Sequence, residues 1–350
     1  MSRFLSGALR QLAPYVPGEQ PHQRRYIKLN TNESPYPPAP GVLRAVGVEA
    51  ADLRLYPDPE ARELKAALAA RHHVGPENIF VGNGSDEVLN FAFLAFASDG
   101  RGAAFADITY GFYPVFCGLY HIPTRIVPLR ENFTLNPEDY YGLGRTIVLA
   151  NPNAPTGLAL SRTQVEEIVK ANQDSVVIVD EAYVDFGGES CVELTRRHGN
   201  LLVVQTFSKS RSLAGARLGF SVGNRELIAD LETIKFSTNP YNVNRLTLRA
   251  GAEALAEQRY YDKCCQAIIE TRDRTAEQLR GMGFTVLPSR TNFLFVCREG
   301  LDGAAIYRGL KDRGVLVRHF DQARIQNFVR VTVGTPEQMN IFLEKLRELL

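Results

Sequence analysis

Apolar positions along the chain follow two rhythms. Between Leu53 and Val222, short apolar runs alternate with stretches in which apolar residues recur every third or fourth position. This is the pattern of βαβ units on a mainly parallel sheet covered by helices, an α/β fold. The clearest strand readings are Ile79 to Val81, Thr146 to Ala150, Val176 to Val179 and Leu201 to Val204. Between the second and third of these, Val165, Ile168 and Val169 share one helical face while Glu166, Glu167 and Lys170 take the other, which predicts an amphipathic crossover helix. From Asn242 to Leu279 there is no proline and one interior glycine, Gly251, so one long helix or two consecutive helices are expected. After Gly283 come the β-branched runs Phe293 to Val296, Val315 to Val317 and Val329 to Val333, then a helix start at Thr335-Pro336, the marks of a smaller α+β domain. Pro14, Pro17, Pro21, Pro35, Pro37, Pro38 and Pro40 predict an extended arm without regular elements. The expected units are an arm over 1–40, a large domain over 41–250 and a small one over 251–350.

Composition narrows the class without naming it. The 350 residues, 45% hydrophobic and 23% charged, suit an ordinary globular protein of more than one domain. Forty basic residues against 39 acidic ones, with no long run of like charge, point to a small-molecule partner rather than nucleic acid or a membrane surface. No export signal and no segment near the roughly 20 apolar residues of a membrane span is present, so a cytoplasmic location is expected. Five cysteines without a C-x-x-C pair and six dispersed histidines give no metal or redox spacing.

The strongest chemical signal is Thr206-Phe207-Ser208-Lys209-Ser210, directly after the strand reading at 201–204. It sets a lysine beyond the C-terminal edge of the sheet, where ligands of open α/β folds bind. A lysine taken alone is usually a solvated surface charge. Asp180, however, follows the run Val176 to Val179 and so faces the same crevice, although an aspartate there can also simply cap a helix. An amine for a Schiff base and a carboxylate for a pyridinium nitrogen are the two ends that one cofactor, pyridoxal phosphate, needs. Gly82-Asn83-Gly84-Ser85-Asp86-Glu87 between a strand and a helical run offers the amides of Ser85 and Asp86 to an anion. It is neither a dinucleotide fingerprint nor a Walker loop, and a capped turn without ligand would read the same. Arg217, in Leu213-Ala214-Gly215-Ala216-Arg217-Leu218-Gly219, adds a guanidinium suited to a phosphate.

These strings, F-S-K-S-R-S-L-A-G-A-R-L-G-F from Phe207, D-E-A-Y from Asp180 and N-P-N-A-P-T-G from Asn151, resemble the fold-type I, class II aminotransferases. P-Y-V-P-G-E-Q-P from Pro14, K-L-N-T-N-E-S-P-Y from Lys28, L-Y-P-D-P from Leu55 and N-F-V-R-V-T-V-G-T near the end resemble their histidinol-phosphate branch, so the likeness spans nearly the whole chain. The resemblance implies a pyridoxal-phosphate transaminase of histidine biosynthesis that exchanges an amino group between histidinol phosphate and 2-oxoglutarate, giving glutamate, by ping-pong kinetics. It implies Lys209 as Schiff-base lysine and proton carrier, Asp180 at the pyridinium nitrogen, Tyr183 at the phenolic oxygen and Tyr110 stacked on the ring. Ser85, Asp86, Ser208 and Arg217 would hold the phosphate, and Tyr56 would reach the phosphate in a neighbouring subunit, so that a homodimer shares its active sites. Arg330, assisted by Arg318, would bind the anionic end of each substrate, with Tyr15 and Asn292 as further substrate contacts.

One position departs from the family pattern. Many members carry asparagine before P-T-G, in contact with the phenolic oxygen, where this chain has Ala154. Asn153 is the nearest replacement, and Tyr183 carries the contact alone if Asn153 points elsewhere. An aromatic aminotransferase or a phosphothreonine decarboxylase of the same fold stays open. So does a more distant reading, a serine hydrolase using Ser221 in Gly219-Phe220-Ser221-Val222-Gly223 with Asp302 and His319, although those residues also read as a strand.

Overall fold

The computed structural model describes residues 2–10, 12–20 and 25–350, so parts of the expected arm, residues 1, 11 and 21–24 with Pro21 among them, lie outside the described residues. A short strand β1 (Ile27–Lys28) precedes helices α1 (Pro40–Glu49) and α2 (Arg62–His72). Next come β2 (Ile79–Gly82), α3 (Ser85–Ala97), β3 (Ala103–Ala106), α4 (Tyr113–Tyr120), β4 (Thr124–Val127), β5 (Thr146–Ala150) and α5 (Arg162–Lys170). Then follow β6 (Val177–Asp180), β7 (Leu201–Thr206), β8 (Gly219–Gly223), α6 (Arg225–Thr238), α7 (Arg245–Ala256) and α8 (Gln258–Gly281). The C-terminal part holds β9 (Thr285–Val286), β10 (Phe293–Cys297), α9 (Gly303–Asp312), β11 (Val315–Leu316), β12 (Arg318–His319), β13 (Val329–Thr332) and α10 (Pro336–Arg347).

Seven strands form one sheet in the order β2-β8-β7-β6-β5-β3-β4. The pairs β7/β6, β6/β5, β5/β3 and β3/β4 run parallel, while β8 is antiparallel to both neighbours. Strands β5, β6 and β7 are buried along almost their whole length, because helices cover both faces and leave no solvent side for polar residues to mark. In register, Ala150 lies opposite Asp180 and Asp180 opposite Val204, so three adjacent strands end along one edge. The crossover helix α5 buries Val165, Ile168 and Val169 as expected, and Ser161 with Gln164 closes a capping box at its start. The stretch 242–279 resolves into two helices, α7 and α8, separated at Glu257.

The C-terminal part is a four-stranded antiparallel sheet, β12-β13-β10-β9, packed with α8, α9 and α10 around a core that includes Leu279, Leu294, Val331 and Phe342. Thr335 caps α10 by a second capping box with Gln338. The arm corrects one expectation. It contains β1, which pairs parallel with β11, and Leu29 is buried in the core of the C-terminal part. Prolines are absent between Pro21 and Pro35, which leaves residues there free to donate to a ladder. The position expected to divide the two domains, residue 250, falls inside α7. A cluster of Ala106, Ile108, Leu129 and Phe133 with Phe295 and Ile325 joins the two parts beside the sheet edge, and Arg324 crosses there to Asp107 at 2.5 Å. Among the described residues no helix is long and apolar enough to cross a membrane.

Candidate active site

At the C-terminal end of β6, the Asp180 carboxylate is buried and accepts from the Tyr113 hydroxyl at 2.8 Å and the Ala182 amide at 3.2 Å. Both donors are neutral, and burial pushes its pKa up to about 6 despite them. Lys209 lies three residues past β7 and donates from Nζ to the Thr31 carbonyl at 3.2 Å. Burial, then the nearby charge of Arg330, lowers its pKa to about 8. Its Nζ stands 5.9 Å from the centre of the Tyr183 ring. The crevice therefore brings together an amine that loses its proton easily and a carboxylate that has no ion-pair partner within bonding distance among the described residues.

Beside them lies an anion cradle. Gly84 takes φ +80° at the N-cap of α3, so the amides of Ser85 and Asp86 open that helix toward the crevice. A Cβ on Gly219 would stand 2.3 Å from the Ser85 nitrogen, so only glycine lets β8 approach this turn. Arg217, in the left-handed region at φ +57°, donates from Nη2 to Asp86 Oδ2 at 3.0 Å. The other carboxylate oxygen of Asp86 accepts from the Tyr110 hydroxyl at 2.8 Å. Asp86 thus has its amide available for an anion, while its carboxylate orients Arg217 and Tyr110. Ser208 is buried, with its hydroxyl accepting from Thr206 Oγ1 at 3.0 Å.

On the small-domain side, Arg330 donates from Nη2 to the Asn30 carbonyl at 3.0 Å and stacks 5.3 Å from Phe293 and 5.6 Å from Phe320. Its Nε is buried and has no partner among the described residues, which leaves a donor for an anion. Arg318 donates to the carbonyls of Val16 and Pro17, both at 3.2 Å, so it ties the arm down over the site. Tyr15 on that arm packs 5.0 Å from Phe112 and 6.1 Å from Tyr110. Three consecutive arm residues hold three groups of the site: Asn30 holds Arg330, Thr31 holds Lys209, and Asn32 donates to the Tyr183 hydroxyl at 2.9 Å.

Two expectations change, and one residue gains a second role. Asn153 accepts from Thr109 at 2.8 Å and donates to the Ile108 carbonyl and Thr156, both at 3.0 Å, so its whole side chain secures its own turn and is not a ring contact. Asn292 is fully enclosed and donates to the Asn32 carbonyl at 3.0 Å, so it braces Asn32, while its Oδ1 has no partner among the described residues. The hydrolase reading fails because Ser221 is 0% exposed within β8, whereas a nucleophile must stand on an open turn. Asp302 caps α9, and His319 bonds the Gln326 carbonyl. Tyr56 lies 78% exposed and stacked on Tyr241 at 4.6 Å, outside this chain's own cluster. Asn32 and Tyr113 were missed; their signals were the polar string Asn30-Thr31-Asn32-Glu33 and the tyrosine three past Tyr110.

The residues fit pyridoxal phosphate: a cationic ring N–H matches the neutral-flanked Asp180, an aldehyde matches the Lys209 amine, and a phosphate matches the turn that Gly84 and Gly219 keep open. A histidinol-phosphate aminotransferase from Sinorhizobium meliloti, solved in complex with pyridoxal-5'-phosphate, matches the structure with a TM-score of 0.88 and 26% sequence identity, covering 100% of this chain and 99% of that one. The architecture is that of the fold-type I pyridoxal-phosphate transferases. The sequence profile for aminotransferase class I and II matches residues 24–346, and the chain belongs to that family. Curated relatives include histidinol-phosphate aminotransferase 1 of Bordetella parapertussis, 51% identical, and histidinol-phosphate aminotransferase of Brachyspira hyodysenteriae, 48% identical. Each comparison covers 100% of this chain and 99% of the relative.

Proposed function

We propose that this aminotransferase exchanges the amino group between L-histidinol phosphate with 2-oxoglutarate and imidazole-acetol phosphate with L-glutamate, a step of histidine biosynthesis, using pyridoxal phosphate held by Lys209. The observation that carries the reading is the approach of Arg330, with a buried unpartnered Nε, to the lysine whose pKa it helps to lower. Full-length identity of about half to curated histidinol-phosphate aminotransferases supports the choice of substrate.

When bound, the cofactor supplies an aldehyde carbon for covalent attachment and a ring that accepts electrons. Asp180 would hold the proton on the ring nitrogen, since a buried carboxylate is stabilised by a cation beside it. Tyr183 would donate to the phenolic oxygen, Tyr110 would lie beside the ring, and the Ser85 and Asp86 amides, Ser208 and Arg217 would hold the phosphate. Burial lowers the Lys209 pKa to about 8, so near neutral pH a usable fraction of its amine is uncharged and could take the proton from substrate Cα and return it one position along. Arg330 grips the carboxylate of glutamate in one half-reaction and the phosphate of histidinol phosphate in the other, with Arg318 and Tyr15 closing that end. One anion site serving two substrates in turn suits ping-pong kinetics.

Under the same reading the enzyme works in the cytoplasm as a homodimer, with Tyr56 reaching the partner's phosphate site. The exposed apolar side chains Leu43, Val48, Leu53 and Tyr56 all fall within one stretch of chain, which supports an interface there. The test is the visible spectrum of purified protein: histidinol phosphate bleaches the cofactor band and 2-oxoglutarate does not. An unmoved band with histidinol phosphate, bleaching by phenylalanine instead, or release of carbon dioxide from phosphothreonine overturns the assignment.

A further inference from the structure

Position 154 is alanine, which has no donor to offer the cofactor ring, and the neighbouring Asn153 is held by Thr109, Ile108 and Thr156. Tyr183 is then the donor to the phenolic oxygen, and how strongly it donates depends on what its own oxygen accepts. That partner is Asn32 Nδ2, at 2.9 Å.

The orientation of the Asn32 amide follows from its other bonds. Thr332 Oγ1 receives the Asn32 backbone N–H at 2.9 Å and donates its own hydrogen to Asn32 Oδ1 at 3.0 Å. With the oxygen directed at Thr332, the NH2 group faces Tyr183. Asn292 Nδ2 fixes the Asn32 carbonyl at 3.0 Å. Asn32 itself adopts φ +56°, a conformation asparagine tolerates better than most residues. Asn32, Thr332 and Asn292 are buried and Tyr183 is half-buried, a setting in which hydrogen bonds in a chain polarise one another. The Asn32 bond also lowers the Tyr183 pKa against the larger effect of burial.

We propose that Asn32 is a positioning residue for Tyr183: its NH2 occupies the tyrosine oxygen, turns the hydroxyl hydrogen toward the phenolic oxygen of the cofactor, and strengthens that donation. The relay runs Thr332, Asn32, Tyr183, and it supplies from the arm the support that position 154 lacks. The proposal rests on the pyridoxal-phosphate reading above. Donation to the phenolic oxygen favours its anionic form, which lowers the pH at which the bound cofactor's visible band titrates.

The test is that titration on holoprotein carrying Asn32→Ala, Asn32→Asp or Thr332→Val. Asn32→Ala moves the midpoint up by about half to one pH unit, the size expected for one neutral hydrogen bond. Asn32→Asp moves it at least as far, because a carboxylate in the same shape accepts the tyrosine hydrogen and turns it away from the ring. Thr332→Val, which frees the amide without touching Tyr183, gives a smaller shift of the same sign and carries the test where an Asn32 variant fails to fold. A merely structural Asn32 lowers cofactor content but leaves the midpoint in place, and unchanged midpoints in the yellow variants overturn the proposal. Failure of the underlying reading looks different, since wild-type protein then takes up no pyridoxal phosphate and has no band to titrate.

Discussion

Arg217 and Asp86 meet at 3.0 Å across 131 positions of the chain. The pair joins the loop after Lys209 to the first turn of α3, so the anion cradle is built from two separate segments. Both side chains are partly exposed, and such a pair adds little to stability. Its contribution is to aim a guanidinium whose backbone is already confined to the left-handed region.

Arg217→Ala is therefore expected to raise the dissociation constant for pyridoxal phosphate by about 10- to 100-fold, the size of a charge-assisted hydrogen bond. Titrating apoprotein with cofactor while following thermal unfolding checks this: affinity falls, and the melting temperature of the apoprotein changes little.

Asp180→Asn keeps the shape and the bond to Tyr113 but removes the negative charge opposite the ring nitrogen. The turnover number should drop by about 100-fold or more, as for loss of one preorganised electrostatic group. Stopped-flow bleaching with histidinol phosphate measures it, at a pyridoxal phosphate concentration high enough to offset the weaker hold on the cofactor.

The pH dependence has a definite sign. Burial and Arg330 lower the Lys209 pKa from the ordinary lysine value to about 8, so the neutral amine gains population as pH rises toward 8. Capture of pyridoxal phosphate by apoprotein should speed up about tenfold per unit below that midpoint and level off above it. Asp180, raised to about 6, becomes protonated below that pH and loses its grip on the ring nitrogen, so cofactor affinity should weaken as pH falls through 6. Arg330→Ala removes a nearby cation and should shift the Lys209 midpoint upward.

The two arginines of the small domain should differ. Arg330 lies against Phe293 and Phe320 with a buried open donor, and Arg330→Ala should raise KM for glutamate and histidinol phosphate alike by about 30-fold or more. Arg318 is engaged with the Val16 and Pro17 carbonyls. Arg318→Ala should cost about tenfold or less, the effect of loosening the arm and Tyr15. Steady-state kinetics with both substrates separates the two.

The large sheet was legible because its strands are apolar on both faces: the reading of β5 has the observed bounds, and β6 shifts by one residue, which moves Asp180 onto the strand itself. The chemistry of Lys209 and Asp180 could be read for the same reason, since each follows a recognisable strand. A short buried run carries no mark of direction, so the antiparallel course of β8 could not be read from Gly219 to Gly223. The role of Asn32 could not be read from its polar string for a different reason. Its partners Tyr183 and Thr332 lie 151 and 300 positions away, and nothing local distinguishes an asparagine that orients a tyrosine from one that closes a turn. The commitment of Asn153 to Thr109, 44 positions back, and the full enclosure of Asn292 are likewise tertiary facts.

The most direct test of the central claim is chemical. Holoprotein reduced with borohydride and digested should yield one phosphopyridoxyl-bearing peptide, modified at Lys209, with the visible band lost in step with its appearance. A reduced adduct on another lysine, or none at position 209, contradicts the account.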